Sequence, residues 1–253
     1  MKIKVIENEK PNIEKVKFAC DEKICESLDK YPLVKDNLNA YNTTLIIGRQ
    51  KSGKTSLTIN IIKKLYKKKF HKIYVFMPLT SSNSLKDNIF EVLPKEQIFE
   101  ELNLDNIQYV YEQLKTNSEN GFKSLIIMDD VQKALKRTDV INEFKNIVAN
   151  ERHLKVVNLI LLQNYFALDN KVREIVDNVI FFKMDKKQTS KIFEEVAEMP
   201  ENIFNEIIKY VFDEPHNWCL INQRYKRVYK MWDEIIIDDD DDDDDDELEI
   251  NKS

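Results

Sequence analysis

The stretch "LIIGRQKSGKTSLTINIIKKLY", residues 45–66, decides how the rest of the chain is read. A run of apolar residues stops at Gly48, and beyond Thr55 the apolar residues recur at helical spacing, with Leu57, Ile61, Ile62 and Leu65 on one stripe. Between the two, Gly48-Arg49-Gln50-Lys51-Ser52-Gly53-Lys54-Thr55 fits the pattern GxxxxGK[ST], directly after a strand and opening a helix. Two of the chain's three glycines stand here. A loop that turns its backbone N–H groups inward around phosphates needs glycine's freedom at positive φ and bare space where the anion approaches. The helix that follows offers its N-terminus to the same anion. The nucleotide-binding segment is therefore Gly48, Arg49, Gln50, Lys51, Ser52, Gly53, Lys54, Thr55 and Ser56. Lys54 is placed to reach the β/γ phosphates of ATP, and the Thr55 hydroxyl to ligate Mg²⁺.

Outward from this loop, apolar runs recur at 43–48, 72–78, 124–130, 155–163 and 179–184. They are nearly continuous, as strands covered on both faces are. Helical patterns lie between them, one carrying Val140, Phe144, Ile147 and Val148. Strand and helix in alternation predict an α/β fold, a mainly parallel sheet flanked by helices. Residues 85–116 read as helices inserted before the third strand, 186–197 and 200–212 as further helices, and 217–222 with 226–232 as a terminal hairpin turning at 223–225.

Two strand ends carry chemistry. Leu125-Ile126-Ile127-Met128-Asp129-Asp130 brings two carboxylates to the carboxyl edge of a buried strand, where ligands sit in open α/β sheets. Asp129 is assigned to the Mg²⁺ shell through water, and Asp130 to polarising the attacking water. Acids also suit a helix N-cap, which is the bland alternative. The run 155–163 ends in Gln163-Asn164; if this strand neighbours the first, Gln163 orients water and senses the nucleotide. An arginine from a neighbouring subunit can stabilise charge on the transferred phosphoryl group. Arg152 is the first choice for that role and Arg173 the second.

Taken in order, "GRQKSGKT", "LIIMDD", "ERH" and "LILLQNYFALDNKVREIVDNVIFF" resemble the DNA-packaging ATPases of large DNA viruses, the poxvirus-type branch of the FtsK–HerA superfamily. The resemblance covers about residues 40–185 well and the terminal hairpin more loosely. It implies an oligomeric ring that hydrolyses ATP with Mg²⁺ to move double-stranded DNA into a capsid, with capsid proteins as partners, in the host cytoplasm at the assembly site or in the virion. In that family the second acid of the pair is often Glu, where this chain has Asp130.

The composition sets outer bounds. A chain of 253 residues can bury one sizeable core, and no run of 18 apolar residues is present to span a membrane. The start of the chain does not read as a secretory signal. Cys20, Cys25 and Cys219 are too sparse for a disulfide framework, and Cys20 and Cys25 lie too far from His216 and Cys219 in the chain to favour a zinc site over ordinary thiols. The net charge of −6 hides an asymmetry: residues 238–253 hold nine consecutive aspartates, and 1–237 carry 38 basic against 34 acidic residues. The expectation is an ATPase domain over 1–237 and a disordered acidic tail over 238–253. Lys63, Lys64, Lys67, Lys68 and Lys69 read as a solvated helix end sooner than as a DNA contact. The competing readings are a small-molecule kinase, a cellular-type DNA-pumping helicase and a non-enzymatic binding module. A GTPase is disfavoured because Asn170-Lys171-Val172-Arg173 lacks the acid of a guanine reader.

Overall fold

The strands that the apolar runs predict are β1 (Thr43–Ile47), β2 (Lys72–Phe76), β4 (Ser124–Asp129), β5 (Val156–Leu162), β6 (Asn178–Phe182), β7 (Trp218–Asn222) and β8 (Arg227–Lys230). Two more were not foreseen: β3 (Ile98–Phe99) and β9 (Asp233–Ile235). The computed structural model describes residues 23–24, 37–82 and 89–236. Cys20, Cys25, residues 85–88 of the predicted insertion and the aspartate run lie outside these.

The nine strands among the described residues join one sheet in the order β3-β2-β4-β5-β1-β6-β7-β8-β9. From β3 to β6 every pairing is parallel; from β6 to β9 every pairing is antiparallel. The predicted hairpin is thus the first two strands of a three-stranded antiparallel extension. β5 lies between β4 and β1, pairing Leu161 with Asp129 and Leu162 with Ile47. This is the neighbour relation that the reading of Gln163 required, and it brings the carboxyl ends of three strands to one edge.

The longer helices are α1 (Lys54–Asn60), continued by a π turn over Ile61–Leu65, α2 (Leu104–Glu119), α3 (Thr138–Ala149), α4 (Lys186–Ile192) and α5 (Glu201–Val211). α2 and α4 start at side-chain caps, Asn103 accepting from the Asn106 N–H at 2.9 Å and Asp185 from that of Gln188 at 3.1 Å. Each such cap is worth about 1 kcal/mol.

Successive strand residues point to opposite faces. Leu45 and Ile47 of β1 join one core with Ile107, Val110, Phe144, Ile147, Ile192 and Ile207, from α2 to α5. Ile46 joins the other, with Ile61, Tyr66, Leu159, Phe182, Trp218 and Tyr229. Two covered faces explain why the strands read as unbroken apolar runs. The second face presents α1, and with it the loop that precedes the helix.

Candidate active site

The loop between β1 and α1 is pinned at its first residue, where the Gly48 N–H donates to the Leu162 carbonyl at 3.0 Å. Left-handed backbone falls on Lys51 (φ 62°) and Gly53 (φ 111°). Gly48 is needed for a different reason than the sequence suggested: its φ is not in the left-handed region, but a Cβ there would stand 2.6 Å from Ser52 Oγ and 3.0 Å from Phe182 Cβ. The loop therefore rests closely on the β6 residue Phe182, which would also lie 3.3 Å from a Cβ on Gly53.

Lys54 folds back over this loop and donates from Nζ to the carbonyls of Gly48 at 2.6 Å and Arg49 at 2.9 Å. Burial lowers its pKa, and the charges of Asp129 and Asp130 act against that shift. Thr55 Oγ1 donates to Asp129 Oδ2 at 3.5 Å. Burial raises the Asp129 carboxyl above the ordinary carboxylate range, with Lys54 pulling it back down. Both charges are thus held where desolvation disfavours them. Ser52 Oγ is buried and has no hydrogen-bond partner. A lysine bonded only to carbonyls, an orphaned hydroxyl and a side-chain-free approach at Gly48 fit a phosphate chain. A hydroxyl beside a carboxylate fits a hard divalent cation that prefers oxygen ligands.

Asp130 continues past the strand with φ 55°, a left-handed conformation that Asp tolerates better than most residues. Its Oδ1 accepts from Gln163 Nε2 at 3.1 Å, so the two groups meet across the ends of β4 and β5. The Gln163 N–H donates in turn to Gln132 Oε1 at 3.3 Å, a contact that no motif signalled. Arg49, Gln50, Lys51 and Ser56 are exposed along the loop and the first turn of α1.

The two arginines are placed very differently. Arg152 is exposed and precedes β5, at the edge of the sheet opposite the loop, so it is remote from the site of its own chain. Arg173 is nearly buried; Nε and Nη2 donate to Glu195 at 2.9 and 3.0 Å, Nη2 also donates to Asn170 Oδ1 at 2.7 Å, and Nη1 donates to the Leu168 carbonyl at 2.7 Å. Four of its five N–H groups are committed within the chain.

His216 is a residue that the motifs missed as part of this site. It has φ 66°, and its Nδ1 lies 3.0 Å from the Ser52 carbonyl, which ties the start of β7 to the phosphate loop across 164 positions of sequence. Cys219 is buried in β7, and Cys20 and Cys25, the other cysteines of the zinc alternative, lie outside the described residues. Among the described residues no group of three or more His, Cys, Asp or Glu is placed to hold a metal. Nor is any helix among them long and apolar enough to cross a membrane.

A phosphate loop closing a central parallel strand, with paired acids and a glutamine on the next two strands, defines a P-loop NTPase. The chain belongs to the poxvirus A32 protein family, which it matches over residues 31–249; this is the DNA-packaging ATPase family that its motifs resemble. Among solved structures it is similar to the DNA-packaging ATPase B204 of Sulfolobus turreted icosahedral virus. That match has 17% identity and a TM-score of 0.59, covering 74% of this chain and 95% of that one. It is also similar to the genome-packaging NTPase B204 of Sulfolobus turreted icosahedral virus 2. The complex with AMP gives 15% identity, TM-score 0.59 and coverage of 76% and 96%. The complex with ATP-gammaS gives 16% identity, TM-score 0.58 and coverage of 74% and 95%. At such identity the likeness is one of fold. No curated protein matches the chain.

Proposed function

We propose that this chain is an ATP-driven motor that moves double-stranded DNA into a viral capsid, working as a ring of identical subunits at the assembly site in the host cytoplasm. The observation that carries the reading is the meeting of Lys54, Thr55, Asp129 and the Asp130–Gln163 pair at one sheet edge. Membership of the family supports it, as do the complexes of the B204 proteins with AMP and ATP-gammaS.

In this reading Lys54 leaves the loop carbonyls for the β/γ phosphates, and Gly48 to Ser56 wrap the rest of the chain of phosphates. Mg²⁺ would be held by the Thr55 hydroxyl and, through water, by Asp129, and when bound it supplies charge neutralisation at the β/γ oxygens. Gln163 orients the attacking water, and Asp130 accepts its proton as the new P–O bond forms and the bond to the β/γ bridging oxygen breaks. Arg152 from a neighbouring copy is the group we assign to the charge that develops on the phosphoryl oxygens. Its exposure away from its own site suits a contact made in trans, while the four committed N–H groups of Arg173 argue for a structural role there.

Duplex DNA should stimulate ATP hydrolysis; indifference to DNA together with phosphate transfer to a small acceptor would replace the motor with a kinase. Mixing Arg152→Ala with Asp130→Asn subunits should recover hydrolysis that neither shows alone, because a mixed interface can join an intact Arg152 to an intact Asp130. A mixture that stays inactive would remove Arg152 from the role.

A further inference from the structure

We propose that the cavity between α1 and the β7–β9 strands seats the base of the nucleotide, and that Trp232 is the ring on which the base stacks. The inference rests on the reading of residues 48–55 as a phosphate loop and extends it to the part of the ligand which that loop does not touch.

The sheet order fixes the direction. Asp129 and Gln163, which define the reacting end of the phosphate chain, come from β4 and β5 on one side of β1. The rest of a nucleotide must leave the loop on the other side, where β6 to β9 lie. A cavity of about 1330 Å³ opens there and is continuous with the loop, since Ser52 to Ser56 form part of its wall. Leu57 from α1, Ile61 from its π continuation, then Trp218, Tyr229 and Trp232 form an apolar and aromatic part of the remaining wall, and Asn60, Lys64, Asp233 and Glu234 give it a polar rim. Ligand pockets of a few hundred to a thousand cubic ångströms with such linings hold flat organic groups, so the space exceeds what a base and ribose need.

Within this wall Trp232 is the residue built to stack. It is 40% exposed, although its neighbour in the wall, Trp218, is 3% exposed and locked in the core. The two indoles pack edge to face with centroids 4.9 Å apart and planes at 87°. The turn that presents Trp232 is itself held, with Met231 at φ 54° and its N–H donating to the Trp218 carbonyl at 2.8 Å. An indole fixed by a buried partner and still open to the cavity loses little freedom when it stacks on a planar ring. His216 completes the arrangement by bonding the Ser52 carbonyl, so the wall and the phosphate loop are fastened together. The chain has two tryptophans, and both are here.

That fact supplies the test, made on the full chain by calorimetry and by tryptophan emission, with ATP and with inorganic tripolyphosphate as a probe that has phosphates and no base. ATP should change the emission, and tripolyphosphate should bind without doing so. Trp232→Ala should weaken ATP at least tenfold, about 1.4 kcal/mol, and leave the affinity for tripolyphosphate within about twofold. Trp232→Phe, which keeps a stacking ring, should recover most of the loss. Equal effects of Trp232→Ala on both probes, or none on ATP, would overturn the base assignment. Failure of the phosphate-loop reading looks different: Lys54→Ala would then leave the affinity for tripolyphosphate unchanged.

Discussion

The two edges of the sheet bury polar groups under the same constraint and resolve it in opposite ways. At the amino edge of β1, β5 and β6 the chain bonds most of its polar groups to one another, leaving Asn158 Oδ1 without a partner. Thr43 Oγ1 donates to Glu151 Oε2 at 2.8 Å and accepts from Asn158 Nδ2 at 2.9 Å, while the Thr43 N–H donates to Asp177 Oδ2 at 2.9 Å. Asn178 Nδ2 reaches the Asn37 carbonyl at 2.9 Å and Thr44 Oγ1 at 3.2 Å, and Asn178 Oδ1 accepts from Asn222 at 2.9 Å. At the carboxyl edge the accounts stay open: Lys54 has only carbonyls, Asp129 a hydroxyl at 3.5 Å, and Ser52 Oγ nothing. An unmet buried polar group costs about 1–3 kcal/mol. A network that meets most of its needs within the chain holds strands together; the groups left open beside the phosphate loop suit completion by a ligand. Substitutions at the carboxyl edge should therefore remove activity and spare the fold, and those at the amino edge should do the reverse.

The largest effect belongs to Lys54→Ala, which should abolish nucleotide binding and hydrolysis with a melting temperature equal to or above that of the parent, because a disfavoured buried charge is gone. A variant that unfolds would erase the distinction between the edges. Next comes Asp130→Asn, which should bind ATP with Mg²⁺ and hydrolyse it at least ~100-fold more slowly, a loss of about 2.7 kcal/mol in transition-state stabilisation. Turnover near that of the parent would take the proton-accepting role away from Asp130 and leave its bond to Gln163 as a structural contact.

Asn178→Ala tests the opposite edge. It strips partners from Thr44 and Asn222, and should lower stability by about 2 kcal/mol, or roughly 4–8 °C in melting temperature for a domain of this size. ATP hydrolysis measured well below melting should not change. A fall in activity at constant stability would mean that the amino edge communicates with the site.

These two edges were not equally legible in the sequence. The carboxyl edge announced itself because its chemistry needs fixed residue types at short spacing, Gly48 to Thr55 and then Asp129 and Asp130, and because apolar runs located the strands that carry them. The amino edge did not. Asn158 stands alone inside the run "VVNLILL" and was absorbed into it, although one amide in a fully buried strand must find a partner and was the available signal. Contacts made by tertiary approach were equally silent: His216 at the phosphate loop and Glu195 on Arg173 depend on packing that no local pattern encodes. β3 has two residues, too few for any periodicity to show, and β9 is a three-residue strand, Asp-Glu-Ile, whose two acids hide its pairing with β8.

The smallest effect is a dependence on pH at the amino edge. Burial, and then the nearby charge of Asp177, pushes the Glu151 carboxyl up to about 9, and burial raises Asp177 as well. In the unfolded chain Glu151 titrates near the ordinary value of 4.5. Between these values the folded state holds a proton that the unfolded state has released, so stability is fully present below about 4.5 and falls as pH rises toward 9. Glu151→Gln keeps an acceptor for the Thr43 hydroxyl and a donor toward Asp177 without a proton to lose. Its melting temperature should therefore match that of the parent near pH 5 and exceed it by at least about 2 °C at pH 8, the shift that about 1 kcal/mol gives in a domain of this length. ATP hydrolysis should be the same in both at each pH. Parallel melting curves across the range would mean that Glu151 is ionised in the fold, and that the amino edge holds a charge as unanswered as those of the carboxyl edge.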